Sequence, residues 1–278
     1  MRTIVCLKVV PRPEEVRVDL EAKTLARSGV RSVINPADLN ALETALALRD
    51  RHGGHVTALS MGPMSFVPYL RVAIAVGADE SVLLSDRAFG GADTLATSYT
   101  LAEGVRSLGG ADLVLCGDES SDGGTSQVPQ GLAEWLGYSQ VTYADRLDVP
   151  GAGPVLRARR VLEDGTETLE VPLPAVVSVL GGANEVRFIN YDRWGMAQQA
   201  NVRVIDAAAL AADPAAIGLQ GSPTVVAGLR EVRRPGRRRE LVTLEPEAAS
   251  ARLASELRRL GLRPGAVDPA ASSAPTDA

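Results

Sequence analysis

The sequence predicts an α/β protein built on a doubly wound, mostly parallel sheet, and three observations lead to this prediction. Apolar runs of strand length alternate with helical patterns between residues 3 and 137. The apolar runs are nearly continuous, which is typical of parallel strands buried on both faces. Glycine and proline stand at the boundaries between the runs. Four consecutive strand–helix units of this kind form a parallel sheet with helices on both faces.

The elements of these four units can be assigned in order. Residues 3–10 predict the first strand, and residues 16–30 predict a small hairpin excursion. Pro36 suits the first turn of the next helix, and either Asp93 or Thr94 can cap a later one. The remaining elements are helix 35–54, strand 55–63, helix 66–78, strand 80–86, helix 92–110, strand 111–117 and helix 126–137.

The pattern changes in the second half of the chain. Residues 154–182 predict two strands around an Asp-Gly turn and then a further apolar strand, all with antiparallel pairing. Residues 184–224 are expected to be irregular. A strand at 224–232 and an amphipathic helix at 246–262 follow. We therefore expect three parts, listed here: an α/β domain at 1–224, a protruding C-terminal strand and helix arm at 225–262, and a disordered tail at 263–278.

Composition excludes several classes of function. A net charge of −5 argues against a nucleic-acid partner. The two cysteines, Cys6 and Cys116, are predicted to be buried thiols in preference to a disulfide, and they are too few for a metal site. His52 and His55 are expected at the surface. We also expect no signal peptide, no transmembrane segment and a cytoplasmic location.

The loop after the strand at 111–117 is the candidate site. Gly117, Gly123 and Gly124 permit close approach of the backbone to a ligand. Thr125, Ser126 and the N–H groups that open the next helix are suited to a phosphate. The loop lacks the lysine and the spacing of the standard phosphate-binding motifs. An ordinary glycine-rich connection therefore remains the alternative at this point.

No group of residues in the sequence indicates catalytic turnover. Asp118, Glu119 and Asp122 form an acidic cluster that suits metal ligands or an acid–base pair. A solvated loop with a helix-capping aspartate is the favoured interpretation. No nucleophile–base pair stands near this loop. The sequence thus predicts no hydrolytic or transferase site.

Five stretches of the sequence resemble the β subunit of electron transfer flavoprotein. They are LKVVPRPEEVRVD, GVRSVINPADLNALETALALRDRHGGHVTALSMGP, AVGADESVLLSDRAFGGADTLATSYTLA, LVLCGDESSDGGTSQVPQGLAEWLGYSQVT and IGLQGSPT. The resemblance runs from residue 2 to about 262 and is strongest to the bacterial, FixA-like branch. It implies an adenine-nucleotide α-hydrolase-like fold. It also implies a heterodimer with an α subunit that carries most of a redox-active FAD and is embraced by the C-terminal helix.

The same resemblance implies that the strand-end loops hold the adenylate part of a second nucleotide, either AMP or FAD. The positions that match the family's motif are Cys6, Asn35, Pro36, Ala37, Asp38, Met61, Gly117, Asp118, Glu119, Ser120, Ser121, Asp122, Gly123, Gly124, Thr125, Ser126, Gln127 and Val128. Two features depart from the bifurcating relatives, namely Gly124 in place of an acidic residue and the shifted Pro129. The stretch SDRAFGGADTLATS favours FAD over AMP. Ala37, where some relatives have an aromatic residue, implies a different flavin environment.

A loop at 184–196 matches the family's partner-docking segment. Its candidate docking residues are Asn184, Glu185, Arg187, Tyr191, Trp194 and Met196. Tyr191 stands where relatives have an anchoring leucine, and an exposed aromatic pair makes a good interface anchor. The alternative is that Tyr191 and Trp194 pack against their own domain.

The resemblance implies an electron shuttle between a flavin-linked dehydrogenase and an acceptor such as a quinone reductase or a ferredoxin-type protein. The first alternative is a bifurcating complex that oxidises NADH, which requires FAD in the second site. The second alternative is a stand-alone adenine-nucleotide-binding regulator. The C-terminal helix and the docking segment argue against that regulator, because a solitary binder needs neither.

Overall fold

The structure is a computed structural model that describes residues 1–12, 17–19, 24–26, 31–151, 153–227 and 241–262. The chain divides into two compact units, Met1–Arg230 and Glu231–Ala278, and each is described by itself. In the described residues, no helix is both long and apolar enough to cross a membrane.

Nine of the described strands form one sheet in the first unit. From edge to edge they are β11 (Gly165–Pro172), β10 (Val155–Leu162), β9 (Ser139–Asp148), β12 (Ala175–Val179), β8 (Leu113–Gly117), β1 (Arg2–Cys6), β6 (His55–Met61), β7 (Glu80–Leu84) and β13 (Arg203–Ile205). Pairing is parallel from β9 through β13, and antiparallel among β9, β10 and β11. The predicted doubly wound, mostly parallel sheet is therefore confirmed.

Helices cover both faces of this sheet and divide the core into two layers. The helices of the first unit are α1 (Pro36–His52), α2 (Val67–Val76), α3 (Thr94–Ser107), α4 (Val128–Leu136), α5 (Tyr191–Gln199) and α6 (Ala207–Leu210). Leucines and alanines of α1 and α2 pack on one face of the sheet, whereas those of α3, α4 and α6 pack on the other. Burial of both faces explains why the central strands read as continuous apolar runs.

The predicted first strand is divided into two by the fold. β1 ends at Cys6, and β2 (Val9–Pro11) leaves the sheet to pair antiparallel with β5 (Ser32–Ile34). The break lies at Leu7 and Lys8, whose backbone N–H groups turn to Leu59 and to the carboxylate of Asp38. The predicted hairpin excursion is present as the antiparallel pair β3 (Arg17–Asp19) and β4 (Thr24–Ala26).

Several other elements differ from the prediction. β12 pairs parallel with β8 and β9, because it returns to the sheet centre after the antiparallel hairpin of β10 and β11. The segment expected to be irregular contains α5, which the exposed Gly195 does not interrupt. The strand β9 lacks a clear apolar pattern and was not predicted. Of the strand expected at 224–232, residues 224–227 are not a strand, and the remainder lies outside the described residues.

The second unit contributes α7 (Pro246–Arg259), which confirms the expected C-terminal helix. It buries none of its side chains, and Leu253, Leu257 and Leu260 are exposed. The predicted disordered tail at 263–278 lies outside the described residues.

Candidate functional site

A cavity of about 1010 Å³ opens at the carboxyl ends of β1, β6, β7 and β8. Its wall is formed by Asp38 and by residues from four further segments, 6–9, 61–66, 85–97 and 116–129, with Thr224 at its margin. In open parallel sheets, ligands bind in the crevice beyond the carboxyl ends of the strands. The volume lies at the upper end of the range for small-molecule pockets, about 300–1,000 Å³.

Asp38, in the first turn of α1, joins two strand ends inside this wall. Its Oδ2 accepts a hydrogen bond from the N–H of Lys8 (2.6 Å), and its Oδ1 accepts one from the N–H of Gly117 (2.9 Å). Burial raises the pKa of Asp38 to about 6, although these hydrogen bonds, a further bond from Asn35 and the charge of Lys8 act in the opposite direction. The carboxyl group therefore fixes the spacing between the loops that follow β1 and β8.

Asn35 fixes the loop after β8 from the side opposite the cavity. Its Nδ2 donates to the carbonyl oxygen of Glu119 (2.8 Å), and its Oδ1 accepts from the N–H of Ser121 (3.2 Å). The backbone N–H of Asn35 itself donates to the carbonyl oxygen of Lys8 (2.8 Å). Three chain segments are thus tied together through one asparagine.

Lys8 and Asp122 form an ion pair beside the glycine-rich part of the loop. The Nζ of Lys8 lies 2.6 Å from Oδ1 of Asp122 and donates to Oγ of Ser120 (3.1 Å). Burial acts to raise the pKa of Asp122, but the hydrogen bond and the charge of Lys8 outweigh it and hold that pKa below its usual value. The aspartate therefore carries its charge at neutral pH.

The loop between Ser120 and α4 contains two residues in the left-handed region. The N–H of Gly124 (φ 58°) donates to the carbonyl oxygen of Ser120 (2.8 Å) and closes a turn. Ser126 also has a positive φ, 53°, which is uncommon for a residue with a side chain. The helix α4 begins at Val128 directly afterwards. Turns of this kind expose successive N–H groups that bind anions.

The structure brings twelve of the predicted contact residues together in the cavity wall. They are Cys6, Asp38, Met61, Gly117, Asp118, Glu119, Ser120, Gly123, Thr125, Ser126, Gln127 and Val128. Six others stand outside the wall, namely Asn35, Pro36, Ala37, Ser121, Asp122 and Gly124. Asn35 and Asp122 support the wall through the bonds described above. Ala37 is buried and packs close to Gly117.

Lys8 lies in a strand-end loop that the sequence places at the site, but it was not named as a contact residue, and neither was any residue of segment 85–97. Lys8 directly follows the first strand, and this position was its available signal, since residues at the carboxyl ends of parallel strands line ligand sites. Segment 85–97 carries Arg87, which lines the cavity and whose side chain has no hydrogen-bonded or ionic partner among the described residues.

The acidic residues of the loop have separate hydrogen-bond and ion-pair partners. Asp118 accepts a hydrogen bond from the N–H of Gly181 (3.1 Å), while Asp122 pairs with Lys8. In the part of the chain that the structure describes, no three histidine, cysteine or carboxylate side chains converge on a point. Cys6 and Cys116 are free and buried, and a hydrogen bond with Cys6 together with burial raises the pKa of Cys116.

The predicted docking segment at 184–196 is anchored at its start and exposed beyond it. Asn184 donates to Oγ1 of Thr44 (2.9 Å), and Arg187 makes two hydrogen bonds with the carboxylate of Glu43 (2.8 and 2.9 Å). Five apolar side chains that follow are exposed, with the exposed fraction in parentheses: Phe188 (100%), Ile189 (38%), Tyr191 (89%), Trp194 (41%) and Met196 (75%). Glu185 is also exposed. We refer to these five apolar residues as the 188–196 patch.

The sheet, the helices on both of its faces and the cavity at its strand ends define an α/β protein of the doubly wound, ligand-binding class. The electron transfer flavoprotein domain matches residues 22–210. The β subunit of electron transfer flavoprotein from Clostridium acetobutylicum is 44% identical over 93% of this chain and 98% of its own length. The FixA protein of Azotobacter vinelandii is 40% identical over 87% of this chain and 88% of its own.

A third relative, from Acetobacterium woodii, is named caffeyl-CoA reductase-Etf complex subunit CarD. It is 40% identical over 81% of this chain and 86% of its own length. The chain belongs to the electron transfer flavoprotein family. Membership confirms the resemblance drawn from the sequence and the predicted function in electron transfer.

Proposed function

We propose that this chain is the β subunit of a heterodimeric electron transfer flavoprotein. In this function it binds the adenylate part of a nucleotide in the cavity and helps to shuttle electrons between a flavin-linked dehydrogenase and an acceptor. One observation carries the proposal: the loop at 117–128 forms the wall of a cavity at the strand ends. The names of the relatives, β subunits and FixA proteins, agree with it.

The residues of the cavity suit an adenylate group. Gly117 admits the backbone close to a ligand, and any side chain there would collide with Asp38. The turn at Gly123–Ser126 and the start of α4 supply N–H donors for a phosphate. Apolar Met61, Met64 and Phe89 also line the cavity and offer surface for a flat ring system. The chain's task is therefore to hold and orient a nucleotide.

The redox chemistry of such a complex comes from FAD, which accepts and releases electrons when bound. In our proposal this FAD is shared with an α subunit. The second nucleotide is either FAD or AMP. The wall extends past the glycine-rich loop to segment 85–97, which includes the unpaired Arg87, and this extent favours a dinucleotide. The size of the cavity is thus the observation that supports the bifurcating alternative.

Docking of the dehydrogenase is assigned in this proposal to the 188–196 patch. Five exposed apolar side chains in a short segment form a patch suited to protein–protein contact, with two aromatic residues as anchors. The ion pair between Arg187 and Glu43 holds the start of the segment against α1.

The test is to produce the chain together with its α partner, denature the purified complex and quantify the released FAD and AMP. One FAD and one AMP per heterodimer are expected for a simple shuttle. Two FAD per heterodimer would establish the bifurcating alternative and lead to an assay of NADH oxidation. Failure to form a heterodimer, together with ATP binding by the chain alone, would contradict the proposal and favour a stand-alone regulator.

A further inference from the structure

Lys8 differs from most basic residues of this chain both in residue type and in its place in the fold. All of the 29 basic residues except Lys8 and Lys23 are arginines. Lys8 lies between β1 and β2, and it is part of the cavity wall. Its backbone is fixed on both sides, because its N–H donates to Asp38 (2.6 Å) and its carbonyl oxygen accepts from the N–H of Asn35 (2.8 Å). Only the side chain is left free to respond to a ligand.

The ammonium group of Lys8 stands beside the glycine-rich turn. A Cβ atom added to Gly123 would lie 3.7 Å from Nζ of Lys8 and 3.2 Å from Oγ of Ser120. The lysine charge therefore lies next to the small volume beside Gly123, at the start of the turn that leads into α4. This volume is suited to an anion, since compact ammonium groups and backbone N–H groups are the usual ligands of phosphate.

The two partners of the ion pair between Lys8 and Asp122 differ in their exposure and in their access to the cavity. The lysine side chain is 46% exposed and lines the cavity, whereas the side chain of Asp122 is 8% exposed and does not. An ammonium group carries three N–H donors. Ser120 and Asp122 use two of them (3.1 and 2.6 Å), which leaves one donor for a ligand.

We infer that Lys8 is the cation that binds the nucleotide phosphate in this cavity, and that Asp122 orients the lysine from behind without contacting the ligand. This inference rests on the proposed function, because it concerns the nucleotide of the same site. It changes the expected role of Asp122 from a contact residue to a positioning residue. It also adds Lys8, which lies within the matching stretch LKVVPRPEEVRVD, to the predicted contact residues.

Arg87 is the other basic residue in the cavity wall. Its position argues against a role in binding the phosphate. It follows β7, which is separated from β8 by β1 and β6, whereas Lys8 follows β1, the direct neighbour of β8. The turn that supplies the N–H groups also follows β8. A phosphate held by that turn therefore lies nearer to Lys8 than to Arg87.

The experiment compares AMP with adenosine as probes, in calorimetric titrations of the full chain in complex with its α partner after removal of bound nucleotide. Lys8→Gln is expected to weaken AMP about tenfold or more, the usual effect of losing a charged hydrogen bond, and to leave adenosine unchanged. Lys8→Arg is expected to restore part of the AMP affinity. Arg146→Gln, on β9 outside the cavity, removes the same charge and controls for a general electrostatic effect.

Asp122→Asn provides a measurement of opposite sign that a folding defect cannot imitate. The amide keeps an oxygen acceptor for Lys8 but removes the negative charge next to the phosphate. AMP is therefore expected to bind about three- to tenfold more tightly, with adenosine unchanged. Weaker binding of AMP by this variant would overturn the positioning role and return Asp122 to direct contact.

The remaining outcomes separate this inference from the function on which it rests. If Lys8→Gln leaves AMP binding unchanged, or if Arg87→Gln abolishes it instead, the inference is wrong. The proposed nucleotide site would still be supported. Equal loss of AMP and adenosine in Lys8→Gln assigns the lysine a merely structural role and also overturns it. A wild-type complex that binds neither AMP nor FAD overturns the proposed nucleotide site and the inference together.

Discussion

The Oδ1 of Asp38 accepts a hydrogen bond from the N–H of Gly117 at 2.9 Å, and it occupies the space that a side chain at position 117 would need. A Cβ atom there would lie 2.5 Å from this oxygen and 2.8 Å from the carbonyl carbon of Ala37. The absence of a side chain at 117 and the carboxylate at 38 are thus two parts of one arrangement. It fixes the start of the loop that follows β8.

Gly117→Ala is therefore expected to lower the free energy of unfolding by about 1–3 kcal/mol, the usual cost of overpacking a buried position. Urea denaturation followed by circular dichroism measures it. Gly195→Ala is the matched control, because a Cβ at position 195 of α5 meets no atom within 4 Å. That control is expected to gain up to about 1 kcal/mol from helix propensity. Equal effects of the two substitutions would show that the contact with Asp38 is not tight.

The pH dependence of stability follows from the raised pKa of Asp38. Its pKa is about 6 in the folded chain against 3.8 as the ordinary value, so the folded state retains the proton to a higher pH than the unfolded state. The contribution of Asp38 to the free energy of unfolding is fully present below about pH 4. It decreases as the pH rises to about 6, by roughly 3 kcal/mol in all.

Asp38→Asn removes this titration, and the measurement is the difference in unfolding free energy between wild type and variant from pH 4 to 7. This difference is expected to fall between pH 4 and 6 and then to level off. Asparagine also has one acceptor oxygen for two N–H donors, those of Lys8 and Gly117, so the variant is expected to be less stable than the wild type at pH 4. A difference that does not vary with pH would contradict the raised pKa.

Asn35→Ala is expected to loosen the loop after β8 from the body of the protein. The substitution removes the bonds to Glu119 and Ser121, and we expect a loss of about 1–3 kcal/mol in stability together with weaker AMP binding. Asn190→Ala removes the side-chain cap of α5, a bond to the N–H of Asp192, at a similar cost of about 1 kcal/mol. This control should leave AMP binding unchanged. Unaltered AMP binding in Asn35→Ala would show that the hydrogen bonds of Asn35 to the loop are not needed for nucleotide binding.

Trp194→Ala is expected to impair electron transfer from the dehydrogenase without lowering the stability of the complex. An aromatic anchor at an interface contributes about 2 kcal/mol or more, which corresponds to an increase of roughly 30-fold in Kd. Steady-state rates at several dehydrogenase concentrations measure this change. Val204→Ala is the control, since Val204 is exposed to the same extent (42% against 41%) but lies on β13. Equal rates for the two variants would show that the 188–196 patch is not part of the interface with the dehydrogenase.

The central part of the fold could be predicted from the sequence because burial on both faces leaves a clear apolar signal. β6, β7 and β8 and helices α1 to α4 all lie within a few residues of the predicted ranges. β9 could not be predicted in this way, since its buried residues Val141, Ala144 and Leu147 recur at every third position and do not alternate as a strand pattern would. α5 was missed because Gly195 and exposed aromatic residues weaken a helical pattern. Its cap, Asn190, was the signal available.

The strand-end loops of the candidate site could be predicted from the sequence, but the full wall of the cavity could not. The glycines and hydroxyl residues of the loop after β8 are contiguous in sequence, so a motif reveals them. Lys8, Asp86 and Arg87 come from the ends of other strands and meet the loop only through the strand order of the sheet. Strand order depends on long-range pairing, which a local pattern does not encode. The supporting roles of Asn35 and Asp38 are hydrogen-bond geometry and also lie beyond sequence patterns.

The strand ends that form the cavity wall come from segments more than one hundred residues apart, beginning with Cys6 and ending with Pro129. An incompletely folded sheet lacks part of this wall, so the cavity can bind a nucleotide only when the first unit is fully folded. Any ligand that binds the folded state alone stabilises it in proportion to the logarithm of its concentration. With the nucleotide proposed for this cavity, the stability of the folded chain would therefore depend on the concentration of that nucleotide. An unfilled subunit would be removed by proteolysis sooner than a filled one.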